Sequence, residues 1–319
     1  MANENNNQAL DPQKAAEVQF INYKNQITNS VMKRVATLEA AGGVTVPKNY
    51  SVGNQINLAM LRLTTMKDKD GNLILTKCTS ASVANALLNM CIQGLSLEKA
   101  QCYFVPYGNE LQFQRSYLGN VALAKRVGGA GDPQAQVIYA NDVFEYVINP
   151  QTGKKKILKH EQKLENIDNN KIVGAWCLIP FADHPDWDPR VEIMTMAEIR
   201  TAWMQGQTKG ESKAHRNFTQ EMAKKTIISR ACKMFFATSD DAGIFGEDEI
   251  DDQTPEMEIK ANATEAVFEA LPQAPSVAAV ESVGNTVEAA AEPVKSTEAV
   301  KVEEEAPEES VFGQDFFNA

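Results

Sequence analysis

The residues best equipped to do chemistry are basic side chains concentrated between positions 200 and 233. Only two acidic residues, Glu211 and Glu221, lie within the same stretch. Lys and Arg at this density can neutralise the phosphates of a nucleic acid, although the same pattern also occurs on an ordinary solvated helix face. The basic residues are Arg200, Lys209, Lys213, Arg216, Lys224, Lys225, Arg230 and Lys233.

A helix predicted over about 215–236 would carry most of these cations. On a helical wheel its apolar residues share one arc, and several of its cations lie roughly 140° from that arc. Such a helix could pack by one face and line a phosphate-binding groove with the other. The apolar arc consists of Ala223, Ile227, Ala231 and Met234.

A second basic cluster is interleaved with aromatic residues between positions 103 and 126. Single-stranded nucleic acid is typically bound by such a mixture, because bases stack on rings while phosphates contact cations. Since Tyr103 and Phe113 fall in strand patterns, a place in the hydrophobic core is the alternative for both. The candidate phosphate contacts are Arg115, Lys125 and Arg126, and the candidate base contacts are Tyr103, Tyr107, Phe113 and Tyr117.

Catalytic motifs of several common enzyme classes are absent from the sequence. There is no GxxxxGK[ST] loop for ATP, no HExxH zinc motif and no GxSxG nucleophile elbow. The segment from His184 to Asp188 has the Pro-Asp of a restriction-type nuclease, but the acid and lysine that should follow appear only as Glu192-Ile193-Met194. We therefore expect no catalysis and no cofactor or metal, with aspartates of this segment capping turns.

The charge of the chain is distributed unevenly, although its formal net charge is −11. Residues 247–319 contain 19 acidic and 3 basic side chains, whereas residues 1–246 contain 23 and 28. A basic body with an acidic tail is an indication of a nucleic-acid partner. The five scattered cysteines form no CxxC pair, so we expect reduced, buried thiols. With no secretory signal or membrane span apparent, we expect a soluble cytoplasmic protein.

The elements that must position these residues follow the order helices, antiparallel meander, helices, which predicts an α+β fold. A helix should start at Asp11-Pro12 and end at Gly42-Gly43, and a third helix should be capped by Thr79 or Ser80 and end at Gly94. Thr195 and Glu198 fit a capping box. Further helices are predicted at 54–66, 117–126 and 196 onward, and strands at 102–105, 111–115, 135–139, 142–148, 155–161, 172–181 and 191–194.

The ends of the chain differ in composition from its centre. We expect residues 1–12 to be disordered, residues 13–246 to form the folded domain and residues 247–319 to be a disordered acidic tail. The tail ends on the aromatic residues Phe312, Phe316 and Phe317. It could compete with a nucleic acid for the basic surface, dock a partner, or only increase solubility.

Several motifs occur in a specific order along the chain. In the stretch 78–126 a helix ends in Gly94-Leu95, a Val-Pro-Tyr-Gly hairpin follows at 105–108, and a Tyr-x-Gly helix begins at Tyr117. Further segments of the same set are 141–145, His160, 194–199 and 217–226. This ordered set resembles the RecT family of phage-type single-strand annealing proteins, and the resemblance covers roughly 20–236.

The resemblance implies an ATP-independent recombinase that binds single-stranded DNA and anneals complementary strands. It also implies a curved antiparallel sheet flanked by helices, a basic DNA groove, and assembly into homo-oligomeric rings or helical filaments. Expected partners are a phage exonuclease and the single-strand binding protein of a bacterial host. Two alternatives are a single-strand binding protein that does not anneal, and a metal-dependent nuclease.

Overall fold

Helices and three small antiparallel sheets make up the computed structural model, which describes residues 12–68, 70–205, 208–236, 271–277 and 280. The mixed α+β class is therefore confirmed. The helices are α1 (Pro12–Ala40), α2 (Val52–Thr65), α3 (Ile74–Lys77), α4 (Ser80–Ile92), α5 (Tyr117–Val127), α6 (Met196–Met204), α7 (Lys213–Asn217) and α8 (Thr219–Phe236). The strands are β1 (Cys102–Tyr107), β2 (Glu110–Arg115), β3 (Gln134–Tyr139), β4 (Val143–Ile148), β5 (Lys155–Glu161), β6 (Ile172–Ile179) and β7 (Arg190–Thr195). In these described segments no helix is long and apolar enough to cross a membrane.

The N-terminal part is a helical layer in which α1 and α2 pack with α4. The apolar side chains of α1 recur every three or four residues, which places them on one buried face. This face covers α4, whose own side chains are buried along most of its length. The buried residues of α1 are Phe20, Tyr23, Ile27, Val31 and Val35.

Helix α4 begins and ends at the predicted caps. The Thr79 hydroxyl accepts a hydrogen bond from the Ser82 backbone N–H. At the other end Gly94 has a φ of 55°, and Leu95 N–H donates to the Met90 carbonyl at 3.1 Å. This is the Schellman arrangement, and burial of Leu95 supplies the hydrophobic contact that accompanies it.

Strands β1 and β2 form the predicted hairpin with a tighter turn than expected. Tyr107 pairs with Glu110, so only Gly108 and Asn109 make the turn, and Gly108 adopts a φ of 61°. Leu111 and Phe113 share the buried face, as the alternating pattern predicts.

The remaining strands are divided between two sheets. Strand β6 lies between β3 and β7, while β4 and β5 form a separate two-stranded hairpin. The sequence predicts one meander, but a turn at Ala140–Asp142 and a register shift after Glu145 direct β4 away from β3. The antiparallel strands are thus arranged as three small sheets and not as one continuous meander.

The predicted helix over 215–236 is interrupted at Phe218, whose backbone leaves the helical region with φ −131° and ψ 46°. The Thr219 hydroxyl donates to the His215 carbonyl at 2.7 Å and bridges the interruption. Met234 is 43% exposed, and Phe235 takes the buried position instead. The capping box of Thr195 and Glu198 is present at the start of α6, as predicted.

All five cysteines are buried and free. Burial raises the pKa of Cys91, Cys102, Cys177 and Cys232 to about 12, so these thiols stay protonated near neutral pH. They behave as small apolar core residues, as expected from their spacing.

The disorder predicted for residues 1–12 and 247–319 and the domain boundary at 246 lie for the most part outside the described residues. A short part of the predicted tail is described and packs on the body. Val280 is fully buried, Leu271 is partly buried, and the Ser276 hydroxyl donates to Gln19 Oε1 of α1 at 3.0 Å. This stretch of the acidic region is therefore held against the first helix.

Candidate nucleic-acid interface

Helices α5 and α8 pack side by side and join two regions that are about a hundred residues apart in the sequence. Asn120 Nδ2 on α5 donates to the Ser229 hydroxyl on α8 at 2.7 Å. Farther along, Gly128 lies so close to α8 that a Cβ there would be 2.5 Å from the Phe235 Cβ. The two basic clusters recognised in the sequence therefore belong to one region of the protein.

One cation of α8 lies over an aromatic ring of α5. The Lys225 ammonium is 5.6 Å from the centre of the Tyr117 ring, within the range of a cation–π interaction. Lys225 is exposed and Tyr117 is partly exposed. A predicted phosphate contact and a predicted base contact are thus next to each other.

Helix α7 is held between α6 and α8 by a small aromatic cluster. Trp203 Nε1 donates to the Thr226 hydroxyl at 2.8 Å, and the His215 ring lies edge-on to Trp203 with centres 4.7 Å apart. The Ser212 hydroxyl lies 2.7 Å from His215 Nδ1. Burial lowers the pKa of His215, which favours the neutral ring at pH 7. The backbone that carries Lys213 and Arg216 is therefore fixed by contacts with α6 and α8.

Four of the predicted phosphate contacts are exposed and have no ion pair within the described residues, and we call them the α7–α8 cations. The other three predicted phosphate contacts of this region are less available; Arg200, the remaining cation of the stretch, is not among the predicted contacts. Lys224 pairs with Glu221 at 3.3 Å, Arg230 lies 3.4 Å from Glu192, and Lys233 is half-buried. The α7–α8 cations are Lys209, Lys213, Arg216 and Lys225.

The three cations of the other cluster each have a partner within the protein, although Lys125 and Arg126 are still exposed. The Arg115 guanidinium lies over the Phe236 ring at 5.1 Å and donates to Gln93 Oε1 at 3.3 Å. Arg126 donates to the carbonyls of Gln93 and Gly94 at the end of α4, and burial lowers its pKa. Lys125 pairs with Asp132 at 2.6 Å. The phosphate contacts predicted for these three residues therefore stay predictions, with Arg115 the least exposed of the three.

The four predicted base contacts are separated by the fold. Phe113 is only 6% exposed and belongs to the core, so its ring is not available for stacking. Tyr103 is 48% exposed on the outer face of the hairpin. The Tyr107 hydroxyl accepts from Gln114 Nε2 at 3.0 Å, which holds its ring along the same hairpin. Tyr103, Tyr107 and Tyr117 therefore remain candidates.

An aromatic residue that the pattern did not single out is more exposed than any of these. Phe218 lies at the interruption between α7 and α8, two residues after Arg216 in the chain, and is 58% exposed. Phe218 was missed because the sequence pattern predicts one continuous helix over 215–236, and in that helix nothing distinguishes Phe218 from its neighbours. A ring beside the α7–α8 cations is suited to stacking on a base.

Replacing Arg126 with Met should lower stability without weakening binding to single-stranded DNA. The change removes the donor that satisfies the last carbonyls of α4, so we expect a loss of about 1 kcal/mol in urea unfolding. Lys99→Met, at an exposed cation of the following loop, is the matched control and should leave stability unchanged. If the variant instead loses DNA affinity and keeps its stability, Arg126 contacts DNA.

Comparison with known proteins agrees with the motifs. The RecT family signature matches residues 57–264, which is well over half of the chain. No curated protein matches the sequence. The match spans the end of α2, the β1–β2 hairpin, both sheets that follow, and the α7–α8 cations. The chain therefore belongs to the RecT family.

Proposed function

We propose that this protein binds single-stranded DNA along the α7–α8 cations and anneals complementary strands without ATP. Family membership supports DNA annealing in phage-type recombination. The observation that carries the assignment to this surface is the exposed Lys225 ammonium over the partly exposed ring of Tyr117. The exposed ring of Phe218, two residues after the exposed Arg216, adds to it. No bond is made or broken in this reaction, so the protein acts as a binding surface and not as a catalyst.

The annealing step follows from the electrostatics of two strands. Cations that neutralise the phosphates of the first strand reduce its repulsion of a second strand. Stacking of one face of a base on Tyr117 or Phe218 contributes on the order of 1–3 kcal/mol and leaves the Watson–Crick edge accessible. The second strand is then selected by base pairing, so the DNA supplies the sequence specificity.

The wider role rests on the family resemblance. We propose that the protein works as a homo-oligomer, ring or filament, and receives its substrate from a phage exonuclease in the bacterial cytoplasm. Cooperation with the host single-strand binding protein is a further part of this proposal. The acidic region after Gly246 could compete with DNA for the cations or dock a partner through Phe312, Phe316 and Phe317.

Two complementary labelled oligonucleotides, mixed with the protein in the absence of ATP over a series of salt concentrations, test the proposal. We expect rapid annealing to an intact duplex, and slower annealing as salt rises because phosphate contacts weaken. Binding without annealing would identify a strand-protecting protein instead. Cleaved strands in the presence of magnesium would identify a nuclease and overturn the proposal.

A further inference from the structure

The β4–β5 hairpin exposes an unusual number of large apolar side chains. Val147, Ile148 and Leu158 are 46%, 54% and 56% exposed, and Leu164 just beyond the hairpin is 88% exposed. No other described strand pairs with either edge of this hairpin. A two-stranded hairpin is at best marginally stable in water by itself, and an exposed apolar strand edge is normally covered. This surface therefore has the properties of an interface without its partner.

The hairpin is nevertheless attached firmly to the central sheet. The buried Asp142 carboxylate accepts hydrogen bonds from Tyr139 N–H at 2.9 Å and Gln162 Nε2 at 2.8 Å. It also accepts from Asn166 Nδ2 at 3.2 Å and lies 3.3 Å from His160 Nε2. His160 Nδ1 in turn accepts from Trp176 Nε1 at 3.0 Å. Burial would raise the pKa of Asp142, but these hydrogen bonds outweigh it and lower the pKa. The apolar surface is thus presented in a fixed orientation.

The tip of the hairpin is basic. Lys154 and Lys156 are exposed, and neither forms an ion pair in the described part of the chain. Lys155, between them, is tied to Glu192 of β7 at 3.2 Å. A partner for this tip should combine carboxylates with an apolar side chain that can cover Val147 and Ile148.

The same molecule carries such a surface on the loop between β6 and β7. Asp183, Asp186 and Asp188 are exposed there, and no ion pair with another described residue involves them. Trp187 is 53% exposed and stacks on the His184 ring, with centres 4.0 Å apart and planes 9° apart. A tryptophan that is held in place and surrounded by charged residues is typical of the centre of a protein interface. DNA is disfavoured as the partner of this loop, because its three carboxylates would repel phosphates.

We propose that the basic β4–β5 tip of one copy of this chain binds the acidic Trp187 loop of a second copy. Unmatched charges of opposite sign, each beside an exposed apolar side chain, make the two surfaces complementary. Because each copy carries both surfaces, the contact can be made by every molecule in an assembly. The inference rests on the oligomer of the proposed function and names the surface that forms it.

Charge exchange tests this contact without DNA. The size of the full chain is measured by analytical ultracentrifugation at low salt over a range of protein concentrations. Lys154→Glu/Lys156→Glu and Asp183→Lys/Asp186→Lys should each raise the dissociation constant for self-association at least tenfold. An equal mixture of the two variants should associate like the native protein. The acidic tip of the first variant can then bind the basic loop of the second, and the basic tip of the second can bind the acidic loop of the first. Lys14→Glu/Lys48→Glu, at exposed cations of the N-terminal part, is the control and should associate normally.

Three results would overturn the proposal. They are a native chain that stays monomeric at every concentration, single-surface variants that associate like the native chain, and a mixture that fails to recover association. Circular dichroism of each variant checks that it is folded. If Lys154→Glu/Lys156→Glu loses DNA affinity while associating normally, the tip contacts DNA and the interface lies elsewhere. Annealing is assayed separately, so intact association without annealing would reject the proposed function and leave this interface standing.

Discussion

Reversal of Lys213, Arg216 and Lys225 to Glu should weaken binding to single-stranded DNA by about two orders of magnitude at low salt. All three side chains are exposed and have no acidic partner in the described part of the chain, so each can contact a phosphate. Each lost phosphate contact also removes the release of a counterion. The slope of log affinity against log salt should therefore become shallower by about 2. Fluorescence anisotropy of a labelled oligonucleotide over a salt series measures both quantities.

The matched control introduces the same change of charge in the N-terminal part. Lys14→Glu/Lys48→Glu/Arg62→Glu also replaces three exposed cations that have no ion pair in the described chain. If only the total charge of the protein matters, the control and the test variant will lose affinity equally. That outcome would contradict the assignment of the DNA surface to α7 and α8.

Replacement of Gly128 with Ala should lower the free energy of unfolding by about 3 kcal/mol. The new Cβ would be 2.5 Å from the Phe235 Cβ and 2.7 Å from the Phe235 carbonyl oxygen. Because part of the obstruction is backbone, no side-chain rotation relieves it, and α5 must move away from α8. Urea unfolding followed by circular dichroism measures the loss.

A glycine without such a neighbour provides the control for this change. At Gly53, inside α2, a Cβ would meet only the Met32 side chain at 3.7 Å. Gly53→Ala should be neutral or stabilise the protein by about 0.5–1 kcal/mol, because alanine favours a helix. Equal stability of the Gly128 and Gly53 variants would mean that α5 and α8 can separate at little cost. The joint placement of Tyr117 and Lys225 would then lose its structural basis.

Local elements were predictable because their determinants are close in the sequence. The start of α1 at Pro12, the Gly94 end of α4, the β1–β2 hairpin and the capping box at Thr195 all depend on residues within a few positions of each other. Apolar periodicity likewise identified the buried faces of α1 and α8, except at Met234. Apolar periodicity did not predict the interruption at Phe218, because α7 has no buried residue and the pattern is therefore carried by α8 alone.

The types of chemistry available to this protein were determined by the sequence alone: many cations, interleaved aromatic rings and none of the GxxxxGK[ST], HExxH and GxSxG motifs. Which of those cations are exposed and without an ion pair in the described part of the chain was decided only by the tertiary structure. Arg115 and Arg126 have the same charge as Arg216, but the first two are drawn to Gln93 at the end of α4. Phe113 and Phe218 have the same ring, but one lies in the core and the other is exposed. The physical reason is that charge and aromaticity belong to a residue, whereas exposure and ion pairing depend on neighbours distant in the chain.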